Sequence, residues 1–205
     1  MDNNRNVLIY KIWSPIYDWF FNSGAFLTAR RSLFKDIPFK EGDSVLFVGV
    51  GTGADLEQIP YNKLSITAID YSEAMLKQAK KKFSSDNILF LQMDAQHLKL
   101  ASEEYDYVVA SLILTVVPDG KKAFREIVRV TKKGGVILIF DKFAPENKAL
   151  SPLKKFLRPL ISLLGTDIGV TFKHLYQNEQ DDVIIVEDQD LLFSGMYRKI
   201  RLLKK

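Results

Sequence analysis

One stretch limits what this chain can fold into more than any other: Val45-Leu-Phe-Val-Gly-Val-Gly-Thr-Gly-Ala54. Val45 to Val48 have the β-branched and aromatic content of a buried strand, and three alternating glycines follow at once. With no Cβ in the way, backbone there can approach a ligand closely. Ala54–Ile59 predicts the first turns of a helix, which would point its N-terminus at that ligand. The next apolar run, Ile66–Ile69, predicts a second strand and ends in Asp70. An acid so placed can accept hydrogen bonds from both hydroxyls of a ribose, so the pair predicts a site for something carrying adenosine. The plainer role for Asp70 is to cap the helix that opens at Ser72.

The remaining chain alternates strand and helix patterns. Ile88–Met93 predicts a third strand ending at Asp94, Tyr105–Ser111 a fourth, and Val136–Phe140 a fifth. Asp119 predicts a helix cap, with Gly134-Gly135 stopping that helix. Crossovers of this kind imply parallel pairing. Ser151-Pro152 opens a predicted amphipathic helix over residues 151–164, with Lys154, Lys155 and Arg158 opposite its apolar side. Val183–Val186 and Met196–Leu203 predict two antiparallel strands separated by a loop. The expected architecture is therefore α/β: a Rossmann-like seven-stranded sheet of five parallel strands plus a C-terminal antiparallel hairpin. Helices should cover both faces beneath an N-terminal helical cap. It is read as a single domain over 1–205, with a cap or lid (1–39), a cofactor-binding core (40–143), and the amphipathic helix and hairpin (144–205).

Composition removes several classes of function. There is no cysteine among the 205 residues and only two histidines, His97 and His174, stand far apart. Disulfides, thiolate chemistry, a zinc site and a Ser-His-Asp triad are not expected, nor is any metal. A net charge of +4 is too mild to argue for nucleic acid. Neither a signal peptide nor an apolar run of spanning length is evident, so a cytoplasmic protein is expected, soluble or peripheral at the inner membrane face.

Four segments in order carry a family likeness: Val45-Leu-Phe-Val-Gly-Val-Gly-Thr-Gly53, Ala68-Ile-Asp-Tyr-Ser72, Met93-Asp-Ala-Gln96 and Lys132-Lys-Gly-Gly135. Over residues 40–143 the chain resembles the class I S-adenosylmethionine-dependent methyltransferases. More narrowly, Tyr10-Lys-Ile-Trp-Ser-Pro-Ile-Tyr-Asp18, Val116-Val-Pro-Asp119 and the segment from Phe143 to Gly165 look like soluble bacterial phosphatidylethanolamine N-methyltransferases. Quinone-biosynthesis C-methyltransferases share the Tyr-Asp opening and most of the core.

The resemblance implies S-adenosylmethionine as cofactor, S-adenosylhomocysteine as product, and no metal. It places Gly49, Val50, Gly51 and Gly53 against the methionine part of the cofactor, and Asp70 on the ribose. Tyr71 and Met75 would lie beside the adenine, Asp94 and the Ala95 backbone at its edge, and Ser111 and Leu112 under the sulfonium. One departure stands out. The family carries Glu or Asp two residues before the first glycine, where it organises the end of the site holding the methionine ammonium; this chain has Phe47.

The residues leave other roles open. The glycines also satisfy the dinucleotide fingerprint of a nicotinamide dehydrogenase, but residues 144–205 are too few for its usual substrate domain. Asp94 also reads as a strand-end turn residue. The aromatic N-terminal segment supplies the substrate-side candidates, Tyr10 and Tyr17, which could equally be core tyrosines. No side chain is assigned as acid or base. The expected acceptor is a lipid or small molecule, first the amine of phosphatidylethanolamine. The alternatives are a quinone or small-molecule acceptor, or a cofactor-binding protein without catalysis. The 151–164 helix is expected either to dock reversibly on an anionic membrane or to pack on the sheet.

Overall fold

The computed structural model describes residues 24–83, 87–144, 169–193 and 195–205. Tyr10, Tyr17 and the 151–164 segment lie outside the described residues. In chain order the elements are α1 (Gly24–Phe34), β1 (Ser44–Val48), β2 (Ser65–Asp70), α2 (Glu73–Lys82), β3 (Ile88–Gln92), β4 (Tyr105–Ser111), α3 (Gly120–Val130), β5 (Thr131–Lys142), α4 (Phe172–Tyr176), β6 (Val183–Leu192) and β7 (Tyr197–Lys204). The seven strands form one sheet in the order β3-β2-β1-β4-β5-β7-β6. The first five are parallel, and β7 enters antiparallel between β5 and β6.

Period-two alternation in β1 divides the core. Leu46 and Val48 face a cluster with Phe124, Ile127 and Phe172, from α3 and α4. Val45 and Phe47 face the opposite cluster with Leu33, Phe34 and Leu76, from α1 and α2. Helices therefore cover both faces, as expected. Both α2 and α3 open on a side-chain cap, at Ser72 and at the expected Asp119. Ser72 Oγ accepts from Met75 N at 3.4 Å at the start of α2, and Asp119 Oδ1 accepts from Lys122 N at 3.1 Å at the start of α3.

Three expectations are corrected. No α-helix follows the glycine turn; Leu56–Gln58 forms only a single 3₁₀ turn. Pro60 accounts for this, because it disfavours the helical region for Ile59, which is extended. Gly134-Gly135 does not stop α3 either. The helix ends at Thr131, whose hydroxyl donates to Ile127 O at 2.7 Å, and the glycines lie inside β5 where its register against β4 shifts. Finally, the segment after Val186 is strand rather than loop. Its acids pair across to β7: Glu187 with Lys199 Nζ at 2.9 Å, and Asp188 with Arg198.

Phe124 is fully buried, edge-on to Phe172 with centroids 6.1 Å apart. Phe124→Ala is expected to destabilise the fold by about 3–5 kcal/mol, mostly through the cavity left behind. Urea unfolding should show a lowered midpoint with unchanged slope; an unchanged midpoint would contradict the packing described.

Candidate functional site

The connection leaving the carboxyl end of β1 runs to β2 on one side, and the connection leaving its other neighbour, β4, runs to β5 on the opposite side. That divergence opens a crevice at the strand ends, the place where open α/β sheets bind ligands. The glycine loop forms its floor. Gly49 N and Val50 N both donate to Ile69 O, at 2.9 and 2.8 Å, and Gly53 N closes the turn on Val50 O at 2.9 Å. Gly49 has φ +74° and Gly51 φ +56°, conformations that a side chain resists. A Cβ on Gly51 would meet nothing within 4 Å, so this loop turns a bare backbone face to open space.

Asp70 ends β2 beside that face. Its Oδ2 accepts from Gly51 N and its Oδ1 from Ser72 N, each at 2.8 Å. Burial pushes its carboxyl above the usual aspartate range, against the lowering effect of the N–H groups of Ser72, Gly51 and Tyr71. Tyr71 follows, 38% exposed, while Met75 is buried in the first turn of α2. Met93 N donates to Asp70 O at 3.0 Å, which holds the turn after β3 against the end of β2. In that turn Asp94 accepts from Gln96 N at 2.9 Å and from Gln96 Nε2, and Ala95 is buried. Gln96 Oε1 in turn accepts from Asp119 N at 2.9 Å, tying the turn to α3.

Ser111 and Leu112 stand at the end of β4. Ser111 is buried, and Leu112 has φ +54°, an uncommon conformation for a non-glycine residue. Two anchors hold it. Leu112 N donates to Phe140 O at 2.7 Å, and the buried Asp141 carboxylate takes Leu114 N at 2.8 Å and Thr115 Oγ1 at 2.7 Å. Burial raises the Asp141 carboxyl above its ordinary range, more than its hydrogen bonds lower it. Neighbouring Tyr197 is pushed up to about 12 by burial, with the Asp141 charge adding to the effect.

Sequence reasoning passed over Asp141, Arg30 and Asp55. Arg30 Nη1 donates to Asp55 Oδ2 at 2.6 Å and to Ser111 Oγ at 3.3 Å, linking α1 to the crevice. A signal was present: Arg30 falls among Phe26, Ala29 and Leu33 on the apolar face of α1. Among the described residues no cluster of His, Cys, Asp or Glu could hold a metal ion.

A sheet of this order with a glycine turn and an acid at adjoining strand ends defines a Rossmann-like α/β protein built to hold a nucleoside. Comparison with known proteins narrows that class. Residues 46–139 match a family described as a methyltransferase domain. The chain is 30% identical over 200 residues to a phosphatidylethanolamine N-methyltransferase of Cereibacter sphaeroides, covering 96% of each. It is also 30% identical over 157 residues to a demethylmenaquinone methyltransferase of Staphylococcus aureus, covering 73% of this chain and 65% of the other. Among solved structures, an S-adenosylmethionine-dependent methyltransferase of Thermotoga maritima superposes with a TM-score of 0.72 at 18% identity, over 98% of this chain and all of that one. A Haloferax volcanii chain, from a complex of the Trm112 methyltransferase activator with a methyltransferase, gives 0.76 at 16% identity, covering 95% and 97%. The chain belongs to the class I S-adenosylmethionine-dependent methyltransferases, and its activity is methyl transfer from that cofactor.

Asp70→Ala is expected to weaken binding of S-adenosylhomocysteine by about 1.5–3 kcal/mol, the range for hydrogen bonds to a charged group. Calorimetry returning an unchanged dissociation constant would remove Asp70 from the site. The sign of its pH dependence follows from its raised pKa: the ionised carboxylate, the form that would accept ribose hydroxyls, is lost on acidification at a higher pH than for an exposed aspartate. Wild-type affinity should fall on that limb and Asp70→Asn should lack it. Gly51→Ala should cost about 1–2 kcal/mol of stability for its left-handed backbone. Its methyl would also enter the open face, so the titration should show a larger loss of affinity than of stability; full affinity would contradict that face being the binding surface.

Proposed function

We propose that the methyl acceptor is the amine of phosphatidylethanolamine or a closely related lipid. One observation carries this reading: the likeness to a phosphatidylethanolamine N-methyltransferase runs across 96% of both chains, including the N-terminal segment and residues 144–205 beyond the cofactor core. The likeness to the quinone-modifying relative covers less of each chain.

The residues of the crevice fit the cofactor. The open face at Gly51 would leave room for its backbone-bound arm, and Asp70, bonded to Gly51 N, would present its carboxylate to the ribose. Each Asp70 oxygen that accepts one backbone N–H keeps lone-pair capacity for a hydroxyl. Gly49, Val50 and Gly53 would shape the loop around the methionine arm. Tyr71 and Met75 would flank the adenine, with Asp94 and Ala95 at its edge and Ser111 and Leu112 beneath the sulfur. When bound, S-adenosylmethionine supplies an electrophilic sulfonium methyl, so the protein has little acid–base work to do. Its residues need to position the acceptor in line and exclude water, effects that proximity makes worth about 7–11 kcal/mol. Tyr10 and Tyr17 are the proposed acceptor-side groups, where aromatic faces would favour a methylated ammonium. Lys154, Lys155 and Arg158 would add about 1 kcal/mol each on an anionic surface, which supports transient docking rather than anchoring. No helix among the described residues is long and apolar enough to cross a membrane.

Incubation with methyl-labelled cofactor and anionic vesicles containing phosphatidylethanolamine tests the reading. Label should appear in mono- or further methylated lipid. Label in a demethylmenaquinol supplied in the same vesicles, and none in the phospholipid, would replace this acceptor by the quinone.

A further inference from the structure

Charged side chains are seldom buried unless paired. Arg30 and Asp55 form such a pair: their side chains are each 8% exposed and meet at 2.6 Å between α1 and the loop that follows the glycines. The pair is incomplete on the acidic side. Asp55 Oδ2 is taken by Arg30, whereas Asp55 Oδ1 is buried with no hydrogen-bond partner among the described residues. A carboxylate oxygen left that way carries an uncompensated desolvation cost, so the site calls for a donor that the described protein atoms do not supply.

Its location says which donor. Asp55 follows the glycine turn directly, and Arg30 ties it to Ser111 at the end of β4, across the point where the chain connections diverge. The unsatisfied acceptor thus belongs to the chain segment that carries the open face of Gly51, and its partner Arg30 reaches the end of β4. The methionine arm of the cofactor ends in an ammonium and a carboxylate. The family resemblance implies an acid for that ammonium at position 47, but Phe47 is buried at 2% exposure, packed on Phe34 with centroids 6.5 Å apart. No carboxylate can come from there.

We infer that Asp55 Oδ1 accepts the ammonium of the cofactor's amino-acid arm, and that Arg30 is a positioning residue whose grip on Oδ2 decides which oxygen is presented. The charges support this assembly: guanidinium, Asp55 carboxylate, ligand ammonium and ligand carboxylate sum to zero, so no net charge is left in a poorly solvated place. Asp70, held by Gly51 N and Ser72 N, remains on the ribose, and the two acids divide the ligand between them. The inference rests on the methyltransferase reading and specifies the part of its cofactor site that Phe47 vacates.

Two ligands separate the arm from the nucleoside. S-adenosylhomocysteine carries the amino-acid arm, and 5′-methylthioadenosine has the same nucleoside and thioether without it. Calorimetry on Asp55→Asn should show affinity for S-adenosylhomocysteine reduced about 10- to 100-fold, as for loss of a charge-assisted hydrogen bond, with 5′-methylthioadenosine bound as by wild type. Undiminished S-adenosylhomocysteine binding, or an equal loss for both ligands, would overturn the assignment. Asp55→Asn removes the charge opposite a buried guanidinium; if it does not fold, Arg30→Gln/Asp55→Asn removes both charges and must give the same selective loss. Wild-type protein that binds neither ligand would overturn the cofactor reading itself, a result distinct from any of these.

Discussion

Two backbone N–H groups, from Gly51 and Ser72, converge on the one carboxylate of Asp70. Everything at the crevice depends on that convergence. It joins three elements that are separate in sequence: the glycine loop after β1, the last residue of β2 and the first turn of α2. Burying a carboxylate is costly unless donors are already aimed at it, and here the backbone supplies them. Parallel register makes the meeting possible, since Val48 lies opposite Ile69 and so the residues that follow each strand emerge side by side.

The other side of the crevice is held by different means. β4 ends in a left-handed leucine, a conformation that persists only where surroundings over-determine it. Phe140 O and the Asp141 carboxylate do so by fixing the turn from Leu112 to Thr115. β5 thus contributes more than its place in the sheet. Its last residues act as the backstop for the turn at the end of β4, and β7, paired along β5 from Val136 to Lys142, stiffens it from the far side.

Much of this was legible in the amino-acid order. Strands with apolar runs announced themselves, and the glycines and Asp70 did so because few folds need such residues so close together. The polar half of β6 was not legible, since a run such as Glu187–Asp190 reads as loop until Arg198, Lys199 and Arg201 stand opposite it. The missing helix after the glycines shows a local rule overriding a pattern: Ala54–Ile59 has helical spacing, but Pro60 ends it within one turn. Arg30 and Asp55 were hidden for another reason. A charge on an apolar helix face is informative only once its partner is known, and that partner lies on a different element.

The central claim is that the backbone of the glycine loop and the carboxylate of Asp70 hold the nucleoside of S-adenosylmethionine at the carboxyl ends of β1 and β2. A crystal structure with S-adenosylhomocysteine tests it most directly. The account predicts both ribose hydroxyls within hydrogen-bond distance of Asp70, and the thioether arm laid over Gly51. A nucleoside seated elsewhere, with Asp70 bonded to backbone alone, would contradict it.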